Sequence, residues 1–177
     1  MTAMFEIEMP EPVVPKVTER MMLDLLVKRY TKIAMGAHRW AFAEHVPDKP
    51  GFASRIADFI AVDCYSKGPW ENRYHEIHGH EVKVSRSDWL AELRDPSKSG
   101  AFKPYCHRWW LVVPSASIVK AGELPEGWGL MERANGGLRA VAGKSAPMIN
   151  PEPMPFSMIA SLLRATAKTA RTGWDGQ

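Results

Sequence analysis

Short apolar runs in this chain carry charges where a buried strand has no room for them. The run Arg55–Val62 (RIADFIAV) holds Asp58, and the run His78–Val84 (HGHEVKV) holds Glu81 and Lys83. Short runs bounded by turn residues and rich in β-branched and aromatic side chains read as strands. Side chains alternate along a strand, so Glu81 and Lys83 share one face while Val82 and Val84 take the other. Burying an ion costs several kcal/mol unless it is paired or coordinates a metal. The chain must therefore fold so that these three charges meet partners.

The rest of the sequence supplies the frame. At 177 residues, 45% hydrophobic and 24% charged, the composition is that of one globular domain with tails. Prolines mark both ends. Residues 1–17 are expected to be a Pro- and acid-rich arm, residues 18–146 the folded domain, and residues 147–177 a Pro-rich linker with a basic C-terminal helix. Residues 1–24 carry a net charge of −3, and residues 156–173 and 79–120 carry +3 each. The formal net charge of +3 permits an anionic partner without demanding one. MTAMFEIEMPEPVVP has no apolar signal core, and no run approaches the roughly 18 apolar residues of a membrane span, so no membrane role is expected. Cys64 and Cys106 are too few for a disulfide framework and read as reduced thiols of a cytoplasmic protein.

Helical spacing predicts a first helix from Thr18 to Met35, stopped by Gly36. A strand follows over Arg39–Val46, with Trp40, Phe42, Glu44 and Val46 on one side. SKGPWEN reads as a turn at Gly68-Pro69. A helix over Asp88–Arg94 is capped by Ser85 with Asp88, or by Ser87, and ends at Asp95-Pro96. Arg108–Val113 (RWWLVV) is a buried strand. Trp128–Arg133 and Leu138–Ala142 form a hairpin through Asn135-Gly136-Gly137. A last helix spans Phe156–Arg171, with Phe156, Ile159, Leu162, Leu163 and Ala167 as its apolar side. The order is helix, three strands, helix, strand, then hairpin and helix, which predicts a mixed α/β fold with helices on a central sheet.

Two carboxylates and a lysine meeting at a sheet edge suit divalent-metal chemistry on phosphates. Mg²⁺ takes carboxylate oxygens plus waters, and a lysine can stabilise charge on a phosphate. Glu81 and Lys83 also fit a plain same-face ion pair, and Asp58 an ordinary strand-end acid. Ser85, Arg86, Ser87, Lys98 and Lys103 add hydroxyls and cations suited to phosphate. Glu44 is a candidate third acid. His75, His78 and His80 lie close in sequence, but their spacing favours surface or phosphate contacts over a zinc site. Trp109 and Trp110 read as core rather than as stacking platforms for bases.

RIADFIA (55–61), GHEVKVSRSDWLAELRDPSK (79–98), YCHRWWLVVP (105–114), ELPEGWGLM and GGLRAVA together resemble the MmcB family. That is a bacterial and phage group of DNA-repair-associated proteins in the PD-(D/E)xK nuclease-like superfamily. The resemblance covers about residues 37–146. It implies a restriction-endonuclease-like core with an added C-terminal hairpin and helix. It implies a metal-dependent nuclease acting on DNA in repair or recombination, nucleoid-associated, with Mg²⁺ as cofactor and Mn²⁺ as substitute. Asp58 matches the motif's first acid, Glu81 its second and Lys83 its lysine, with the backbone carbonyl of Val82 completing the metal set. Arg55, Ser85, Arg86 and Lys103 are the expected DNA contacts. Ala57 stands where the superfamily's name has proline, and His107 where relatives have an acid. Alternatives are a non-catalytic DNA-binding accessory on the same fold and an RNA-processing nuclease. A second copy of the chain or another repair protein is the candidate protein partner.

Overall fold

The structure, a computed structural model, describes residues 16–31, 33–34, 37–65, 75–95 and 97–174. Helix α1 (Glu19–Tyr30) begins where Thr18 Oγ1 accepts the Met21 N–H at 3.3 Å, the expected cap. It ends before the expected Met35. Thr31 leaves helical geometry and gives both its N–H (2.8 Å) and its hydroxyl (2.7 Å) to the Val27 carbonyl. Ile33–Ala34 (β1) and Ala37–His38 (β2) then pair antiparallel, and the predicted stop at Gly36 lies outside the described residues.

Strands β3 (Trp40–Pro47), β4 (Ile56–Asp63) and β5 (Ile77–Val82) form an antiparallel meander. The SKGPWEN turn between the last two lies outside the described residues. Helix α2 (Arg86–Arg94) and the single turn α3 (Ser97–Gly100) lead to β6 (Arg108–Val113), which lies parallel to β5. Next, β7 (Trp128–Ala134) runs parallel to β6, and β8 (Gly137–Ala140) folds back antiparallel. The hairpin turn at Asn135-Gly136 has positive φ at both residues (50° and 70°), the geometry that matches strand twist. One six-stranded mixed sheet results, in the order β3-β4-β5-β6-β7-β8. Helix α4 (Phe156–Trp174) closes the described chain.

The sheet separates two cores. On one face α1 buries Met22, Leu23, Leu26 and Tyr30 against Phe59, Trp110, Val112 and Met131. On the other, α2 and α4 bring Trp89, Met158 and Ala165 to Ile60, Trp109, Leu111 and Leu130. Trp109 and Trp110 thus enter opposite cores, as expected of core residues. Each lies over a glycine of a neighbouring strand. A Cβ on Gly79 would sit 2.2 Å from the Trp109 ring, and one on Gly129 would sit 2.5 Å from the Trp110 ring.

Two faces differ from the sequence expectation. Val46 packs with Ala43 in the α2/α4 core and not with Trp40 and Phe42. His45 between them has φ of 50°, and this left-handed residue breaks the alternation. On α4 the buried face is Met158, Ser161 and Ala165, with Leu162 partly covered. Phe156, Ile159 and Leu163 are exposed. The helix lies along β3 through small side chains, which lets it approach closely. There Thr169 Oγ1 accepts the Glu44 N–H at 3.1 Å, on the outer edge of the sheet. The stretch before α4 is pinned to the body by Ile149 N–H to His107 O (2.7 Å) and Glu152 N–H to Pro104 O (2.8 Å).

Candidate functional site

The three strand charges meet where β4 and β5 part. The pairing of these strands runs from Val62↔Ile77 to Phe59↔His80 and stops. One step further in the same register Asp58 faces Glu81. Here the ladder is replaced by a side chain: Asp58 Oδ2 accepts the Val82 N–H at 2.8 Å. Meanwhile β5 stays with β6, through Val82↔Val112 and Lys83 N–H to Val112 O at 3.0 Å. The result is a fork with two carboxylates at its mouth.

Glu81 and Lys83 share a face, as their spacing predicts, and that face is on the α2 side. Lys83 Nζ donates to Glu81 Oε1 at 2.6 Å and meets Glu92 Oε2 of α2 at 3.1 Å. Asp58, Glu81, Lys83 and Glu92 are all buried, at 8, 1, 7 and 8% exposure. Burial alone favours an uncharged lysine. Glu81, Glu92 and Asp58 outweigh it and hold the Lys83 ammonium above the ordinary lysine range.

Glu92 is a member of this cluster that sequence reasoning missed. An acid on a helix is unremarkable by itself. The available signal was its spacing, three residues after the buried Trp89, which puts both on the inward face. Ser85 caps α2 by accepting the Asp88 N–H at 3.2 Å, and Asp88 Oδ2 in turn accepts the Val84 N–H at 3.1 Å. This cap fixes the helix start directly after Lys83.

Glu44 is not brought to the cluster. It shares a face with Trp40 and Phe42 on the α1 side, where Arg20 clasps it through two bonds of 2.6 Å. The expected DNA contacts hold partners within the chain. Arg55 reaches Ser97 Oγ (2.5 Å) and Asp95 Oδ2 (3.3 Å), and Lys103 Nζ donates to Glu126 O (2.8 Å). Arg86 forms a two-pronged pair with Glu123 that pulls the Glu123 carboxyl down to about 2. Ser85 Oγ lies 3.0 Å from Ser87 Oγ. The Lys98 side chain is outside the described residues.

The histidines do not converge on one point. His75 Nδ1 meets Asp63 O at 2.9 Å. His78 and His80 share the α1 face and both meet the Tyr30 hydroxyl, at 3.2 and 2.9 Å. His107 accepts the Ile77 N–H at 3.0 Å through Nδ1, a backbone role.

Among the described residues no three His, Cys, Asp or Glu side chains form a ready-made metal cage. Asp58 is turned to Val82 and Glu81 to Lys83. The donor set still fits a hard divalent ion. Three buried carboxylates face one ammonium, and Glu92 Oε1 is buried without a hydrogen-bond partner among the described residues. A buried cluster short of positive charge favours cation uptake. Mg²⁺ asks the protein for only one or two carboxylates.

No family model matches the chain, and no curated protein matches it. Among solved structures it is similar to a protein of unknown function from Silicibacter pomeroyi, at 21% identity, over 90% of this chain and 91% of that one, with a TM-score of 0.55. At that identity the likeness shows a shared fold alone.

Proposed function

We propose that this chain is a metal-dependent nuclease acting on DNA, built on a PD-(D/E)xK core. The observation that carries the reading is the fork. Asp58, Glu81 and Lys83, three residues from two strands, come to one face at the point where those strands separate. The order α1, β3, β4, β5, α2, β6, with β3–β5 antiparallel and β6 parallel to β5, supports that core. The resemblance of residues 37–146 to the MmcB family points the same way.

In this reading Asp58 and Glu81 would hold Mg²⁺, with the Val82 carbonyl as a further ligand. The ion, when bound, neutralises charge on a phosphate and lowers the pKa of water. Asp58 is already oriented by the Val82 N–H, which donates to its Oδ2 at 2.8 Å. Lys83, whose ammonium the neighbouring Glu81 and Glu92 favour, would stabilise negative charge as it builds on the phosphate oxygens. The Ser85 cap sets the start of α2 and so the distance between Lys83 and Glu92.

One observation favours the second reading, a non-catalytic DNA-binding accessory: the cluster is closed by its own ion pairs and nearly shut from solvent. A labelled panel of single- and double-stranded DNA and RNA, incubated with Mg²⁺ or Mn²⁺, separates the two. The nuclease should cut DNA, lose cutting with a chelator, and lose it in Asp58→Ala and Glu81→Ala. Binding of DNA without cutting under either metal selects the accessory, and cutting confined to RNA selects the RNA nuclease.

A further inference from the structure

We propose that Glu92 is a second berth for the Lys83 ammonium. On this view Lys83 stands in for the cation at Glu81 when no divalent ion is bound, and moves over to Glu92 when Glu81 takes one. The proposal rests on the metal site of the nuclease reading and goes beyond it, since Glu92 is none of the three residues, Asp58, Glu81 and Lys83, that carry that reading.

Three observations carry it. Lys83 Nζ already bridges the two carboxylates, at 2.6 Å from Glu81 and 3.1 Å from Glu92, so the transfer is a short swing. A lysine's four-carbon stem and compact ammonium allow such a swing without moving the backbone. Glu92 can also take the ammonium more fully than it does, because its Oε1 is buried with no hydrogen-bond partner among the described residues. Finally, the two berths sit on different elements. Glu81 is fixed in the sheet beside β6, whereas Glu92 projects from α2.

The energetic argument is one of competition. A cation entering at Glu81 must displace an ammonium in a buried setting, where an unpaired charge is costly. With Glu92 available the ammonium keeps a carboxylate partner throughout. Without it, each divalent ion bound leaves a stranded lysine. Glu92 thereby sets metal affinity without touching the metal, as a positioning residue for Lys83.

The test is Mn²⁺ binding to the full chain, read by calorimetry and by loss of the free-ion paramagnetic resonance signal. Four proteins are compared: wild type, Glu92→Gln, Lys83→Met and the double variant. Glu92→Gln should weaken binding roughly tenfold. Lys83→Met should tighten it by removing the competitor, and Glu92→Gln should have no further effect in that background. Melting curves on the same samples check folding, and Lys83→Gln replaces Lys83→Met if the latter does not fold. Equal weakening by Glu92→Gln with and without Lys83 makes Glu92 a direct partner of the ion and overturns the berth. So does no effect in either background. Absence of Mn²⁺ binding in all four proteins overturns the nuclease reading and the berth with it. Binding that needs Asp58 and Glu81 but shows no coupling between Lys83 and Glu92 overturns the berth alone.

Discussion

In the proposed nuclease Lys83 has two duties that a substitution affects together. In the sequence it fits either the lysine of a nuclease motif or a plain same-face ion pair with Glu81. The structure adds that it is the counter-charge for Glu81 and Glu92, both buried. Removing one partner of a buried ion pair typically costs about 3–5 kcal/mol, because the other charge is left alone. Lys83→Ala should therefore melt well below wild type. Cleavage per folded molecule should also fall, by roughly 10²–10³-fold, the usual loss for one electrostatic contact in a transition state. Melting temperature and single-turnover rate on one preparation separate the effects. An unstable variant with a wild-type rate would leave Lys83 as a structural ion only. The legible part of the site was the set of charges in apolar strands, since Asp58, Glu81 and Lys83 violate a strand pattern. Glu92 violates nothing on a helix, and Glu44 was misplaced for a related reason. Alternation tells which residues share a face, but not which face of the sheet that is.

At the scale of elements, α1 and β5 are joined through Tyr30. Its hydroxyl meets His80, which is fully buried and whose Nδ1 faces the Phe59 carbonyl at 3.3 Å. A carbonyl only accepts, so Nδ1 carries the proton and Nε2 accepts from Tyr30. Burial first, and the neighbouring His78 second, push the His80 pKa well below the ordinary 6.5. Burial likewise lowers that of His78, against the pull of Glu76. A histidine with a lowered folded pKa binds protons more readily in the unfolded chain, so stability is full above 6.5 and falls as acid is added. The urea midpoint should hold between about pH 8 and 7 and drop as pH falls toward about 5. His80→Gln, which cannot titrate, should flatten that drop. An unchanged slope would assign the acid loss to other groups. The sequence told where α1 and α2 begin, because Thr18 and Ser85 are chemically suited to cap. It did not tell which side of α4 is buried. Close approach to β3 selects Ser161 and Ala165 over the larger Phe156 and Leu163, and helix periodicity alone favours the larger ones.

For the whole molecule, the order of strands followed from turn residues and alternation, while the break at His45 has no sequence signature of its own. The fold is a sheet with two edges. At β8, α1 contributes Arg29 Nη1 to the Leu138 carbonyl (3.1 Å) and Lys28 Nζ to the Gly136 carbonyl (2.9 Å). At β3 the cover is α4. A chain ending at residue 146 keeps all six strands and the fork but bares β3, and an uncovered edge strand pairs with its like. Such a truncation should be found in higher-mass species by light scattering, at concentrations where the full chain is not. A truncation that behaves like the full chain would show that β3 needs no cover.

The position of α4 in the chain also sets a clock. β3 ends at Pro47 and its cover starts only at Phe156, so more than a hundred residues separate the two. At roughly 5–20 residues per second, a ribosome needs about 5–20 s to bridge that distance. During that interval every nascent copy on a polysome carries a strand without its cover, close to neighbours in the same condition. The amount recovered from a cell that makes this protein quickly should then fall as synthesis outpaces chaperone supply, at unchanged equilibrium stability.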